Sequence, residues 1–141
     1  MAQIKLWLQE HEEELIQLTG QLASIPSPSG REERKAAFVR EYLERLGCRN
    51  VTVDRAGNVL YPWHCGGRYP VYSAHIDTVF GDLLEICPRR EGSRLYAPSS
   101  GDNSVNAAGL LLLVKLLQER QVQPVDGEGI LFAFNTGEEG L

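Results

Sequence analysis

The stretch SVNAAGLLLLVKLLQER, residues 104–120, followed after a short break by GILFAFN, residues 129–135, decides how this chain folds. Val105, Leu110, Leu111, Leu112, Leu113, Val114, Leu116 and Leu117 lie almost all round a helix over 104–120, so that helix must be buried on most of its sides. Ser104 or Asn103 offers a side-chain cap at its start. Residues 129–135 form a continuous apolar run of strand length, the pattern of a central strand covered on both faces. A short apolar strand, Val71 to His75, lies upstream. Strand, long helix, strand reads as a crossover between parallel strands. The prediction is an α/β fold with a mixed, largely parallel sheet flanked by helices.

Working outward, Ile4, Leu8, His11, Leu15, Leu18, Leu22 and Ile25 fall on one helical stripe. His11 reads as a packed edge residue and Glu12-Glu13-Glu14 as a solvated face, until Pro26 and Pro28 break the pattern. Ser29 followed by Glu32 has the spacing of a capping box. It predicts a second helix with Val39, Tyr42, Leu43 and Leu46 on its apolar side, ended by Gly47. Residues 51–54 and 58–63 read as strands joined at Ala56-Gly57. Residues 84–90 and 94–96 read as a further hairpin turning at Glu91-Gly92.

Composition bounds the function. A chain of 141 residues fits one domain and can bury a core. A net charge of −5 argues against nucleic acid, which selects basic stripes. No apolar run reaches the ~18 residues of a membrane span, and the first residues lack the layout of a signal peptide. The three cysteines, with no C-x-x-C spacing, read as reduced thiols in a cytoplasmic protein. His64 beside Cys65 reads as part of a loop.

Three polar clusters fall at carboxyl ends of strands or at the entry to the long helix, where α/β sheets collect ligands. They are Ser73-Ala74-His75-Ile76-Asp77-Thr78-Val79, Ser100-Gly101-Asp102-Asn103-Ser104 and Asn135-Thr136-Gly137-Glu138-Glu139-Gly140. Singly, each has an ordinary structural explanation, such as a carboxylate near a helix N-terminus or a solvated acidic turn. Together they supply one histidine, a neighbouring carboxylate, an isolated aspartate and a glutamate pair. Zinc accepts imidazole nitrogen and carboxylate oxygen, and a two-metal site needs a bridging carboxylate. A ligating histidine usually has a carboxylate behind it, and a free carboxylate can take a proton from water.

His75-Ile76-Asp77-Thr78-Val79 resembles the first signature of the M20 family of metallopeptidases and deacylases. Gly101-Asp102-Asn103 resembles the second and Thr136-Gly137-Glu138-Glu139-Gly140-Leu141 the third, in the family's order and spacing over essentially the whole chain. The resemblance implies a zinc-exopeptidase-like catalytic domain in which His75 binds one metal and Asp77 orients its imidazole. Asp102 would bridge two metals across a cis Asp102–Asn103 peptide, Glu138 would be the general base, and Glu139 would bind the second metal. The cofactor implied is a pair of Zn2+ ions, with Co2+ or Mn2+ fitting the same donors. The reaction implied is hydrolysis of an amide in a small peptide or an N-acyl amino acid.

Asn103 departs from the Asp-Asp-Lys of many M20 members, and it keeps open a related two-metal aminopeptidase family that often has Asn there. The M20 pattern also requires a further carboxylate, a late histidine and an inserted lid or dimerisation domain, and full-length members can form homodimers. Residues 1–141 are therefore expected to be the N-terminal portion of the catalytic domain. The rival reading is a non-catalytic domain that associates with a partner chain through the apolar helix and the final strand.

Overall fold

The computed structural model describes residues 2–81 and 85–140. Helices α1 (Ala2–Glu10), α2 (Glu12–Ser24) and α3 (Glu33–Arg45) come first, then strands β1 (Thr52–Val53), β2 (Val59–Trp63) and β3 (Val71–His75). A small hairpin, β4 (Arg89–Glu91) and β5 (Arg94–Tyr96), leads to a wide helical turn at Ser100–Ser104, then α4 (Val105–Glu119) and β6 (Ile130–Asn135). The main sheet has the order β1-β2-β6-β3. β3 runs parallel to β6, whereas β2 is antiparallel to both β1 and β6.

The crossover from β3 through α4 to β6 is therefore the one the apolar pattern predicts. Within the main sheet the parallel pairing is confined to it, so the sheet is mixed and less parallel than expected. The reason is local: β1 and β2 are joined by a tight turn at Ala56-Gly57, which forces an antiparallel pair, and β2 then lies alongside β6.

Position explains the composition of β6. It lies between β2 and β3, and Phe132 and Phe134 are fully buried. They pack in one core with Leu111 and Val114 of α4, Leu22 of α2, and Val39 and Leu43 of α3. Burying each such side chain contributes about 1.5–3 kcal/mol. The helix expected to be hidden on most sides is so: Ala107, Ala108, Leu111, Leu112, Val114 and Leu117 are all buried.

Three local expectations change. The first helix is two helices, broken at His11. There the imidazole stacks on Trp7 at 3.8 Å and its Nδ1 lies 2.8 Å from the Trp7 carbonyl. What α1 buries is Trp7, so Ile4 and Leu8 of the predicted stripe are exposed. Neither Ser104 nor Asn103 caps α4 through its side chain; the wide turn instead carries the Ser104 N–H onto the Ser99 carbonyl at 3.0 Å. The Ser29–Glu32 box does not close either, because both side chains are used elsewhere. The later hairpin forms over Arg89–Glu91 and Arg94–Tyr96, while Leu84 of the expected strand lies outside the described residues.

Candidate metal centre

His75 pairs with Asn135 at the last rung of the parallel β3–β6 ladder, so the segments that follow both strands leave the sheet at one edge. The turn at Ser100–Ser104 reaches the same place, and its Asp102–Asn103 peptide is cis, as the family resemblance implies. All three predicted clusters thus meet. The side chain of His75 is 9% exposed, and its Nε2 lies 3.0 Å from Asp102 Oδ1 and 3.8 Å from Glu138 Oε2. His75, Glu138 and Glu139 each place a potential ligand atom within 4.8 Å of the other two.

The other face of the imidazole is fixed by Asp77. His75 Nδ1 lies 3.3 Å from the Asp77 carbonyl oxygen and 3.3 Å from Asp77 Oδ1. Asp77 Oδ2 accepts hydrogen bonds from Ser29 Oγ at 2.7 Å and from the Glu139 N–H at 2.9 Å. Burial alone would push this carboxyl up. The hydrogen bonds from Ser29 and from the backbone of Glu139 and Glu138 outweigh it and hold the group below its ordinary range. Asp77 Oδ1 makes no well-formed hydrogen bond and is buried, 3.3 Å from His75 Nδ1.

Residues before α3 tie these segments together. Ser27 donates through Oγ to the Ile76 carbonyl at 2.8 Å, and its own carbonyl accepts from the Thr78 N–H at 3.0 Å. Glu32 Oε1 accepts from the Gly30 N–H at 2.9 Å and from the Gly137 N–H at 3.1 Å. Asn58 Oδ1 accepts from the Thr136 N–H at 2.9 Å. The glutamate-bearing turn is pinned by these contacts and by its glycines. Gly137 has φ +72°, and a Cβ on Gly140 would stand 2.6 Å from the Ser29 Cβ.

Sequence reasoning missed Ser27, Ser29, Glu32 and Asn58. Ser29 and Glu32 did carry a signal, but it read as a helix start because a capping box uses the same two residues.

The donor set fits a metal ion. His75 turns Nδ1 toward Asp77 and Nε2 toward two carboxylates, so a ring nitrogen and negative oxygens converge. A cation between them removes the repulsion, and nitrogen with carboxylate oxygen is the ligand chemistry of zinc. Asp102 and Glu138 remain largely exposed, at 79% and 56%, as groups open to incoming ions and substrate.

Comparison with known proteins bears on the family and the fold. Residues 58–141 match the profile of Peptidase family M28. A protein of Pyrococcus abyssi named as a candidate LysW-lysine/LysW-ornithine hydrolase is 33% identical over 131 residues, which is 92% of this chain and 34% of that protein. The chain therefore spans about a third of the length of this relative. Among solved structures, a tripeptidase of Staphylococcus aureus superposes with a TM-score of 0.75 at 20% identity, over 90% of this chain and 37% of that one. Bacillus subtilis YXEP, a dinuclear metal binding peptidase from the M20 family, gives 0.62 at 17% identity over 92% and 36%. These structures share the fold, as the M20 resemblance implied. By the match over residues 58–141, the chain belongs to peptidase family M28, within the M20/M28 type of metallopeptidase.

Proposed function

We propose that this polypeptide is the part of a two-metal amidohydrolase that carries the general base and three of the metal ligands, acting on small peptides or N-acyl amino acids. The observation that supports it most directly is the convergence of His75 Nε2 on the Asp102 and Glu138 carboxylates, with Glu139 in reach. His75, Asp102 and Glu139 would hold the ions, with Asp102 shared between them. Zinc is the default for this donor set, with cobalt or manganese as alternatives. Bound, such ions supply Lewis acidity toward an amide carbonyl and toward water.

The chain's own residues do the rest. Asp77 holds the imidazole in the tautomer that leaves Nε2 free for a ligand role. Glu138, exposed and within 3.8 Å of that nitrogen, is placed to take the proton from the attacking water and to pass it to the departing amine. The products are a free amine and a carboxylate. The Pyrococcus relative bears the name of a hydrolase of LysW-lysine and LysW-ornithine, which supports amide substrates with an amino-acid product.

Three ligands are fewer than two four-coordinate ions need, so the remaining donors would come from outside these 141 residues. The test is the metal content of the purified chain beside an Asp102→Ala, Glu139→Ala double variant. Zinc bound by the wild type and lost in the variant supports the reading. Equal metal in both, or none in either with zinc, cobalt and manganese supplied, overturns it. Amide hydrolysis is expected to be weak or absent for the 141-residue chain. It is expected in a form that supplies the missing ligands.

A further inference from the structure

Glu32 stands just before α3 and is 6% exposed, a depth at which a carboxylate needs hydrogen-bond donors. It does not spend its oxygens on its own helix, since its side chain makes no cap for α3. A single oxygen, Oε1, instead accepts from two backbone N–H groups, Gly30 at 2.9 Å and Gly137 at 3.1 Å. The two donors belong to different walls of the metal centre. Gly30 continues the segment that grips the end of β3. There Ser27 bonds to Ile76 and Thr78, Pro28 bridges to Thr78, and Ser29 donates to Asp77 Oδ2. Gly137 opens the turn that carries Glu138 and Glu139.

That turn needs outside support. Gly137, at φ +72°, and Gly140 flank the glutamate pair, and glycine loses the most freedom on being fixed. Asn58 grips the Thr136 N–H one residue before the turn, and Asp77 Oδ2 grips the Glu139 N–H at its far side. Glu32 supplies the bond between them. We propose that Glu32 is a positioning residue for the metal centre: by holding Gly30 and Gly137 on one oxygen, it sets the Glu138–Glu139 turn against His75. It acts through the backbone of Gly137 and not on substrate or ion. The inference rests on the reading of Glu138 as base and Glu139 as ligand, and it names what fixes their place relative to the histidine.

The experiment compares Glu32→Ala and Glu32→Gln with the wild type in the full chain, with and without zinc. In metal-free Glu32→Ala, the Gly137 and Glu139 amides are expected to exchange hydrogen about 10- to 100-fold faster, the range for losing a bond to a charged acceptor. Amides within β6 are expected to keep their wild-type protection, which makes the change local. Zinc affinity is expected to fall about 10- to 100-fold, as for other partners behind metal ligands. Glu32→Gln keeps an acceptor oxygen at the same reach and is expected to restore most of both losses. A purely structural role lowers the melting temperature of Glu32→Ala and leaves the zinc affinity of the folded protein unchanged.

Wild-type protection of the Glu139 amide in Glu32→Ala overturns the proposal, because Asp77 then holds the turn without help. Unchanged zinc affinity despite faster exchange, or a Glu32→Gln protein no better than Glu32→Ala, overturns it as well. Should Glu32→Ala not fold, Glu32→Asp, whose carboxylate falls one methylene short of Gly137, carries the same comparison. A wild-type protein that binds no zinc would sink the metal reading. The exchange of Gly137 and Glu139 in the metal-free variants would still decide the role of Glu32.

Discussion

The centre has two halves of opposite character. His75 and Asp77 leave β3 with side chains 9% and 0% exposed, and they are gripped by Ser29, the Glu139 N–H and the Ser27–Thr78 contacts. Asp102 and Glu138 sit on two turns with side chains 79% and 56% exposed, and these side chains meet the buried half at His75 Nε2. The buried half is shaped when the protein folds, and the same hydrogen bonds that orient the ring also stabilise the chain. The exposed half consists of charges held near each other at little cost to the fold. Such charges repel until a cation or a proton arrives. On the proposed roles, stability and chemistry fall to different residues of one site, and substitutions should separate them.

The largest separation is expected at Glu138. Glu138→Gln should lower amide hydrolysis by the zinc-loaded, complete enzyme about 10²- to 10⁴-fold with no change in melting temperature, since it removes only a proton acceptor on an exposed turn. A comparable loss of thermal stability would break the division between the halves. Asp77→Ala should do the reverse and destabilise the metal-free protein by about 3 kcal/mol in urea unfolding. It strands the Ser29 hydroxyl and the Glu139 N–H together.

Ser29→Ala removes one charge-assisted hydrogen bond and should cost about 1.5 kcal/mol in the same measurement. Asp102→Ala, at the exposed end, should change stability by no more than about 0.5 kcal/mol while metal binding is lost. Titration sharpens the contrast. Asp77 has its folded pKa below the ordinary value, so its contribution is fully present above the carboxylate range and is lost as pH falls through the folded pKa. Ser29→Ala raises that folded pKa. The acid-induced loss measured by circular dichroism should therefore begin at higher pH than in the wild type.

Legibility in the sequence followed the same division. His75, Asp77, Asp102, Glu138 and Glu139 stand out in the sequence because each sits at the end of a strand or the entry to a helix, in short strings whose residue types suit a metal. The supports were not found. Ser29 bonds to Asp77, 48 positions away, and Glu32 to Gly137, 105 positions away. The local spacing of the two already had a complete explanation as a helix start. The break at His11 was hidden for a related reason. Its stripe is continuous on paper, but the stack of imidazole on Trp7 ends the helix there.

The sequence by itself determined the apolar helix, the hidden central strand, the parallel crossover between β3 and β6, and the positions of the polar clusters. Those follow from periodicity, because burial imposes a pattern that repeats along the chain. Only the tertiary structure decided which polar groups answer one another across it: which face of the imidazole Asp77 holds, which turn Glu32 pins, and which backbone Ser27 grips. Hydrogen bonds and charge pairs between distant segments leave no period in the sequence. They exist only once the hydrophobic core has brought their partners within 3 Å or so of each other.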